Sequence, residues 1–179
     1  MGEAQKPMGK GSQRNAPTAP EDHYTLISAD CHAGGSHEQY REFLDPAYRD
    51  AFDEWRGEYR NPFSDLGDQR KLRNWDDELR NGQQEAEGVV GEVVFPNTVP
   101  PFFPNFVLFA GPPKPEDYEL RRAGVQAHNR WMVEWAGRFP ERRAGIGQIF
   151  LNDLGDAIED ARWIAGAGLR GGVLLPNVP

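Results

Sequence analysis

Glu92-Val93-Val94-Phe95-Pro96-Asn97 is a short apolar run that halts at a proline, and the same pattern returns at Gly172-Val173-Leu174-Leu175-Pro176-Asn177. Continuous apolar runs of this length, bounded by turn residues, read as strands covered on both faces, as in a parallel sheet. The residues between them read as helices and one more strand. Pro115 stands just ahead of a helix with Glu116 and Asp117 in its first turn, where the helix dipole favours acids. Leu120, Ala123, Ala127, Trp131 and Trp135 recur at helical spacing, and Pro140 closes the segment. Ala144 to Leu151 reads as a strand. Asp153 is placed to cap the next helix, whose apolar face is Leu154, Ala157, Ile158, Ala161 and Ile164 or Ala165, and Gly166 and Gly168 stop it.

Upstream, Tyr24 to Ala29 is rich in β-formers and runs into the polar, glycine-rich Asp30-Cys31-His32-Ala33-Gly34-Gly35. This predicts a first strand and its loop. Residues 37–60 predict one or two helices broken near Pro46, anchored by Tyr40, Leu44, Phe52 and Trp55. The stretch to about Trp75 is polar and irregular, and Asp76 to Glu87 is weakly helical, closed by Gly88. A long loop, Thr98 to Pro115, carries six of the fifteen prolines with Phe102, Phe103, Phe106 and Phe109. Such a loop either packs against neighbouring helices or roofs a pocket, and packing is the expectation. Four strands alternating with helices describe an α/β parallel sheet with helical crossovers.

Composition limits the function classes. A net charge of −8 without a basic cluster argues against binding nucleic acid or an anionic membrane surface. No stretch approaches the roughly 18 apolar residues of a membrane span, and the start lacks an apolar signal core. One cysteine, Cys31, excludes an internal disulfide. A cytoplasmic protein is expected. Residues 1–22 hold almost nothing to bury and read as a disordered tail, leaving 23–179 as the domain.

Asp30 and His32 carry the chemistry. Residues i and i+2 at a strand end point to one side, and parallel α/β proteins place their sites at the C-terminal ends of strands. A carboxylate and an imidazole so placed can share a divalent ion of the zinc or manganese class. The same triplet also arises by chance, with the aspartate merely capping a turn. Cys31, between them, points away and packs. Gly166-Ala167-Gly168-Leu169-Arg170-Gly171 fits G-x-G-x-x-G, but it follows a helix and precedes a strand, the reverse of a dinucleotide site. Asn97 and Asn177 each follow a proline at a strand end, where they are turn residues or pocket residues. Asn97 is the candidate for substrate contact.

Several segments together resemble a known family: Tyr24 to Gly35 (YTLISADCHAGG), Tyr40 to Pro46, Gly88 to Pro104 (GVVGEVVFPNTVPPFFP), Asn129-Arg130-Trp131, Phe139-Pro140-Glu141-Arg142 and Gly168 to Val173. Over nearly all of residues 23–179 the chain is similar to the amidohydrolase-related family that includes aminocarboxymuconate semialdehyde decarboxylase and γ-resorcylate decarboxylase. The resemblance implies a distorted TIM (β/α)8 barrel with one divalent metal ion, usually zinc. It also implies hydrolysis or decarboxylation of a small carboxylated or cyclic substrate. The family's strand-one pair of metal ligands falls on Asp30 and His32.

The family continues through strands five to eight, which supply further histidines and an aspartate for proton transfer. Four β/α units are read here, so the expectation is the N-terminal half of the barrel, inactive by itself. His23, His37 and His128 are not at later strand ends. The alternative is a non-catalytic half-barrel, stable only by self-association or with a partner chain, because its first and last strands keep open edges.

Overall fold

The computed structural model describes residues 24–60 and 72–175. The expected tail and Asn177 lie outside the described residues. Strands β1 (Leu26–Ala33), β2 (Val89–Pro96), β3 (Arg143–Gln148) and β4 (Gly172–Leu174) form one sheet in sequence order. All three pairings are parallel. The architecture is the expected one, a four-stranded parallel sheet with helices on one face, the layout of a partial TIM barrel.

Six α-helices are described. Helix α1 (His37–Phe43) opens with a capping box at Ser36, whose hydroxyl accepts from the Gln39 amide while the Gln39 side chain accepts from the Ser36 amide. Pro46 breaks the helical stretch after α1, as expected: a single 3-10 turn (Pro46–Tyr48) leads into α2 (Arg49–Glu58). Asp76 caps α3 (Asp77–Glu87), and Gly88, at φ 72°, ends it in the left-handed conformation a β-carbon disfavours. The proline-rich loop contains a four-residue helix, α4 (Val107–Ala110). Helices α5 (Tyr118–Gly137) and α6 (Leu154–Gly166) cross back over the sheet.

The core lies between the sheet and α1 and α5, where Tyr40, Trp131, Met132 and Trp135 meet Ala33 and Val94. Close approach fixes two glycines. A β-carbon on Gly145 would stand 2.7 Å from the Met132 side chain, and one on Gly124 would collide with the Pro101 carbonyl oxygen. Below the sheet, the carboxylate of Glu92 is 2 % exposed and sits between two arginines. Arg80 donates to it at 2.6 and 2.8 Å, and Arg143 lies 3.7 Å away, stacked 3.8 Å from the Trp135 ring centroid.

Three expectations need correction. Strand β1 continues through Asp30-Cys31-His32, because these polar residues find parallel partners in β2: Cys31 opposite Val94, His32 opposite Phe95, Ala33 opposite Pro96. Strands two and four are not covered on both faces. Glu92 and Val94 face the helices and are buried, while Val93 and Phe95 are half-buried and Val173 is exposed. On α6, Ala157 and Ile164 are buried, but Leu154 and Ile158 are exposed; Asp160 is buried in their stead, bonded to Arg122 and Gln126 of α5. An ion-pair seam, not an apolar one, joins that side of the two helices.

Candidate functional site

The site is assembled at the C-terminal end of the sheet. Register settles the two sides of β1 near its tip. Cys31 and Ala33 pair with Val94 and Pro96 and lie on the helix side, where Cys31 packs beside Val94 and burial pushes its thiol pKa up. His32, one residue out of phase, lies on the opposite side with Phe95, ring centroids 5.9 Å apart. Asp30 is exposed and adjoins an irregularity in the ladder: three residue steps of β1, from Ser28 to Cys31, span two of β2, from Glu92 to Val94. An extra residue there is a bulge, which re-aims side chains next to it.

His32 forms the wall between two concavities. The first, about 250 Å³, is lined by His32, Asn97 and Thr98 with Val107 and the aromatic side chains of Phe106 and Phe109 above them. Leu174, at the end of β4, closes its far side. The second is a wider polar groove of about 380 Å³ at the β1 side of the sheet, shared by His32 and Asn97 with Asn74, Arg80 and Gln84. Asp30 lines neither. The aromatic loop serves both ends expected of it: Phe102 and Phe103 are buried in the core, while Phe109 is 74 % exposed beside the first cavity.

Asn97 is held firmly. Its backbone amide donates to the Ala33 carbonyl at 3.0 Å, and its side-chain amide donates to Asn74 Oδ1 at 2.6 Å. The side-chain carbonyl is left to accept from a ligand. Beneath it, the Tyr40 hydroxyl joins three elements, accepting from the Gly35 amide at 3.0 Å and sharing protons with Thr98 Oγ1 at 2.6 Å and His128 Nδ1 at 2.8 Å. Gly34 is needed there, since a β-carbon would fall on the Thr98 hydroxyl. Burial pushes the Tyr40 hydroxyl up and the His128 imidazole down to about 3, so His128 is a neutral core residue and no ligand. His37 is likewise structural: its ring nitrogen meets the Val99 carbonyl at 3.1 Å and burial lowers its pKa.

Two residues escaped the sequence reading. Arg80 pins the β1 tip by donating to the His32 carbonyl at 2.9 Å. Gln148 ends β3 fully buried; its backbone is clasped by the Asn129 amide at 2.8 Å in both directions, and its own side-chain amide has no hydrogen-bond partner. The first has no sequence signal, being an arginine in a charged helix. The second carried a weak one, a glutamine closing the small, apolar run Ala144-Gly145-Ile146-Gly147.

A resident divalent ion needs at least three protein donors in a zinc-type site. Asp30 and His32 are two. Among the described residues no group of three His, Cys, Asp or Glu side chains is placed to hold a metal ion. Among the described residues, therefore, the pair does not make a complete site.

Comparison with known proteins places the fold. No protein-family profile matches the chain, and no curated protein is similar to it. Among solved structures it is similar to an amidohydrolase from Mycobacterium avium subsp. paratuberculosis K-10, with a TM-score of 0.55 and 15 % identity over 87 % of this chain and 50 % of that one. A 2,6-dihydroxybenzoate decarboxylase in complex with 2,6-dihydroxybenzoate aligns with a TM-score of 0.48 and 18 % identity, over 84 % of this chain and 39 % of that one. The chain spans half the length of the amidohydrolase it matches.

Proposed function

We propose that this chain forms part of an amidohydrolase-type hydrolase or carboxy-lyase acting on a small carboxylated or cyclic molecule. Asp30 and His32 contribute donors to a divalent-ion site, zinc first among the candidates, and Asn97 contacts the substrate. The observation that carries the reading is the position of His32: at the C-terminal tip of β1, on the side of the sheet away from the helices, opening onto a cavity shared with Asn97. Parallel barrels build their active sites at that end. The fold likeness to an amidohydrolase supports the class, and the resemblance of residues 23–179 to the aminocarboxymuconate semialdehyde decarboxylase group supports hydrolysis and decarboxylation as the two reactions in play.

When bound, a divalent ion in such a site supplies Lewis acidity. With two donors in hand, no step through the ion can be derived from this chain's residues. Their own contribution is binding and shielding. Phe106, Val107 and Phe109 exclude water from one side of the cavity, Asn97 offers a fixed acceptor, and Tyr40 holds the loops after β1 and β2 together. The test is metal content after dialysis. Dialysed against a fixed zinc concentration, wild-type protein holds more of the ion than the double variant Asp30→Ala/His32→Ala; equal zinc content in the two removes the pair from the site.

A further inference from the structure

Thr98 lines the cavity of about 250 Å³ with Asn97 and His32, and its hydroxyl is bonded to that of Tyr40. The hydrogens of this cluster can be counted. A phenolic hydroxyl gives one hydrogen bond and accepts up to two. Three groups surround that of Tyr40: the Gly35 amide at 3.0 Å, Thr98 Oγ1 at 2.6 Å and His128 Nδ1 at 2.8 Å. The Gly35 amide can only donate. Of the other two, one donates to Tyr40 and one accepts from it, and the imidazole decides which.

His128 is fully buried and neutral, so a single ring nitrogen carries a proton. Its Nε2 is buried and has no hydrogen-bond partner. A proton there would be an orphaned N–H in the core, which folded proteins avoid more strictly than an unused acceptor. The proton therefore sits on Nδ1 and is donated to Tyr40. With both of its acceptor positions taken, Tyr40 gives its own proton to Thr98 Oγ1. Thr98 has no other hydrogen-bond partner among the described residues. Its own proton is left for the cavity. With the other tautomer, Thr98 would spend that proton on Tyr40 and offer the cavity only lone pairs.

We propose that Thr98 is a fixed hydrogen-bond donor to the ligand, with Tyr40 and His128 as the residues that position its proton. The group it receives is a carbonyl or carboxylate oxygen borne on a small ring. The ring is indicated by Phe106 and Phe109 on the same cavity, since aromatic faces and edges suit a planar partner. This rests on the cavity being the ligand site of the reading above, but not on its metal. Equal zinc content in wild type and Asp30→Ala/His32→Ala would sink the metal reading and leave this donor in place.

Both parts of the test use the 179-residue chain in chelator. Long-range proton–nitrogen NMR of the histidine rings reads the His128 tautomer: the proton is expected on Nδ1, and a proton on Nε2 overturns the inference. Chemical-shift titrations with acetophenone, benzoate and ethylbenzene then read the donor. At least one of the two oxygen-bearing probes binds, and the tighter one tells a carbonyl from a carboxylate. Thr98→Val, close to threonine in size, weakens that probe about tenfold, the worth of one hydrogen bond. Thr98→Ser restores most of the affinity, and ethylbenzene is held equally, or not at all, by all three proteins. Binding of neither oxygen probe, wild-type affinity in Thr98→Val, or a parallel loss of ethylbenzene overturns the inference.

Discussion

Removing the Arg80 side chain with Arg80→Met strips the buried Glu92 carboxylate of its closest counter-charge. Arg80 is 8 % exposed and Glu92 2 %. Three contacts from Arg80 to the carboxylate are lost, at 2.6, 2.8 and 3.1 Å, together with donations to the His32 and Arg73 carbonyls at 2.9 and 3.0 Å. Breaking a buried pair from one side costs about 3–5 kcal/mol, because the remaining charge stays desolvated. Arg143, 3.7 Å from the same carboxylate, offsets part of that. Each neutral acceptor left behind adds on the order of 1 kcal/mol. The net expectation is a loss of about 4 kcal/mol, and a fall in Tm of about 10 °C at 2–4 °C per kcal/mol for a chain of this size. Urea unfolding at pH 7 and fixed protein concentration measures it. The double variant Arg80→Met/Glu92→Leu regains about 1–4 kcal/mol, since it removes the stranded charge as well. There is also a pH signature. Burial raises the Glu92 pKa, but the Arg80 bonds and charge overcome it, and the net shift is downward from 4.5. A depressed carboxyl contributes stability that is whole above the unfolded value and lost as pH falls below it. Wild-type protein therefore weakens below pH 4.5 through this group, and Arg80→Met lacks that component. A loss under about 1 kcal/mol for Arg80→Met, or a double variant no better than the single, refutes the reasoning.

Other substitutions read other parts of the structure. His128 has the same sign in a higher window: its pKa falls from 6.5 to about 3 by burial, so the unfolded chain gains a proton first and stability drops as pH falls below 6.5. His128→Gln flattens the profile by about 1.4 kcal/mol per pH unit between about pH 6 and 5, checked by urea midpoints across that range. Gln148→Met removes an unpartnered buried amide without changing volume much, and raises the unfolding free energy by about 1 kcal/mol in urea titration. Gly124→Ala drives a methyl into the Pro101 carbonyl and costs at least about 2 kcal/mol, seen as a lower Tm by calorimetry. Tyr40→Phe frees the Gly35 amide and Thr98, and accelerates hydrogen exchange at Gly35 while α5 keeps its protection.

Local signals carried the architecture. The two apolar runs ending in Pro-Asn, the break at Pro46 and the stop at Gly88 act within a few residues, so they are readable in one dimension. The faces were less legible. Leu154 and Ile158 fit a helical stripe, yet α6 turns Asp160 inward because Arg122 and Gln126 of α5 wait there, a pairing 38 residues distant for the arginine. The strand boundary at Asp30 was misplaced for a similar reason: polar residues stay in β1 because β2 supplies their ladder partners. Of the site, the tip of β1 and Asn97 were visible from residue type and spacing. The extra residue between Ser28 and Cys31 was not, since a bulge is defined by the partner strand. Arg80 was invisible because nothing near it in sequence announces Glu92.

Asn129 clasps the last residue of β3 as if it were a neighbouring strand, its carbamoyl group meeting both the amide and the carbonyl of Gln148. The end of β3 is thus fastened to a long helix and draws little security from β4, which is only three residues long. Fluctuations that peel β4 away can leave the Gln148 amide proton as slow to exchange as those of α5. The innermost rung and the outermost strand, though adjacent, belong to different units of cooperative opening.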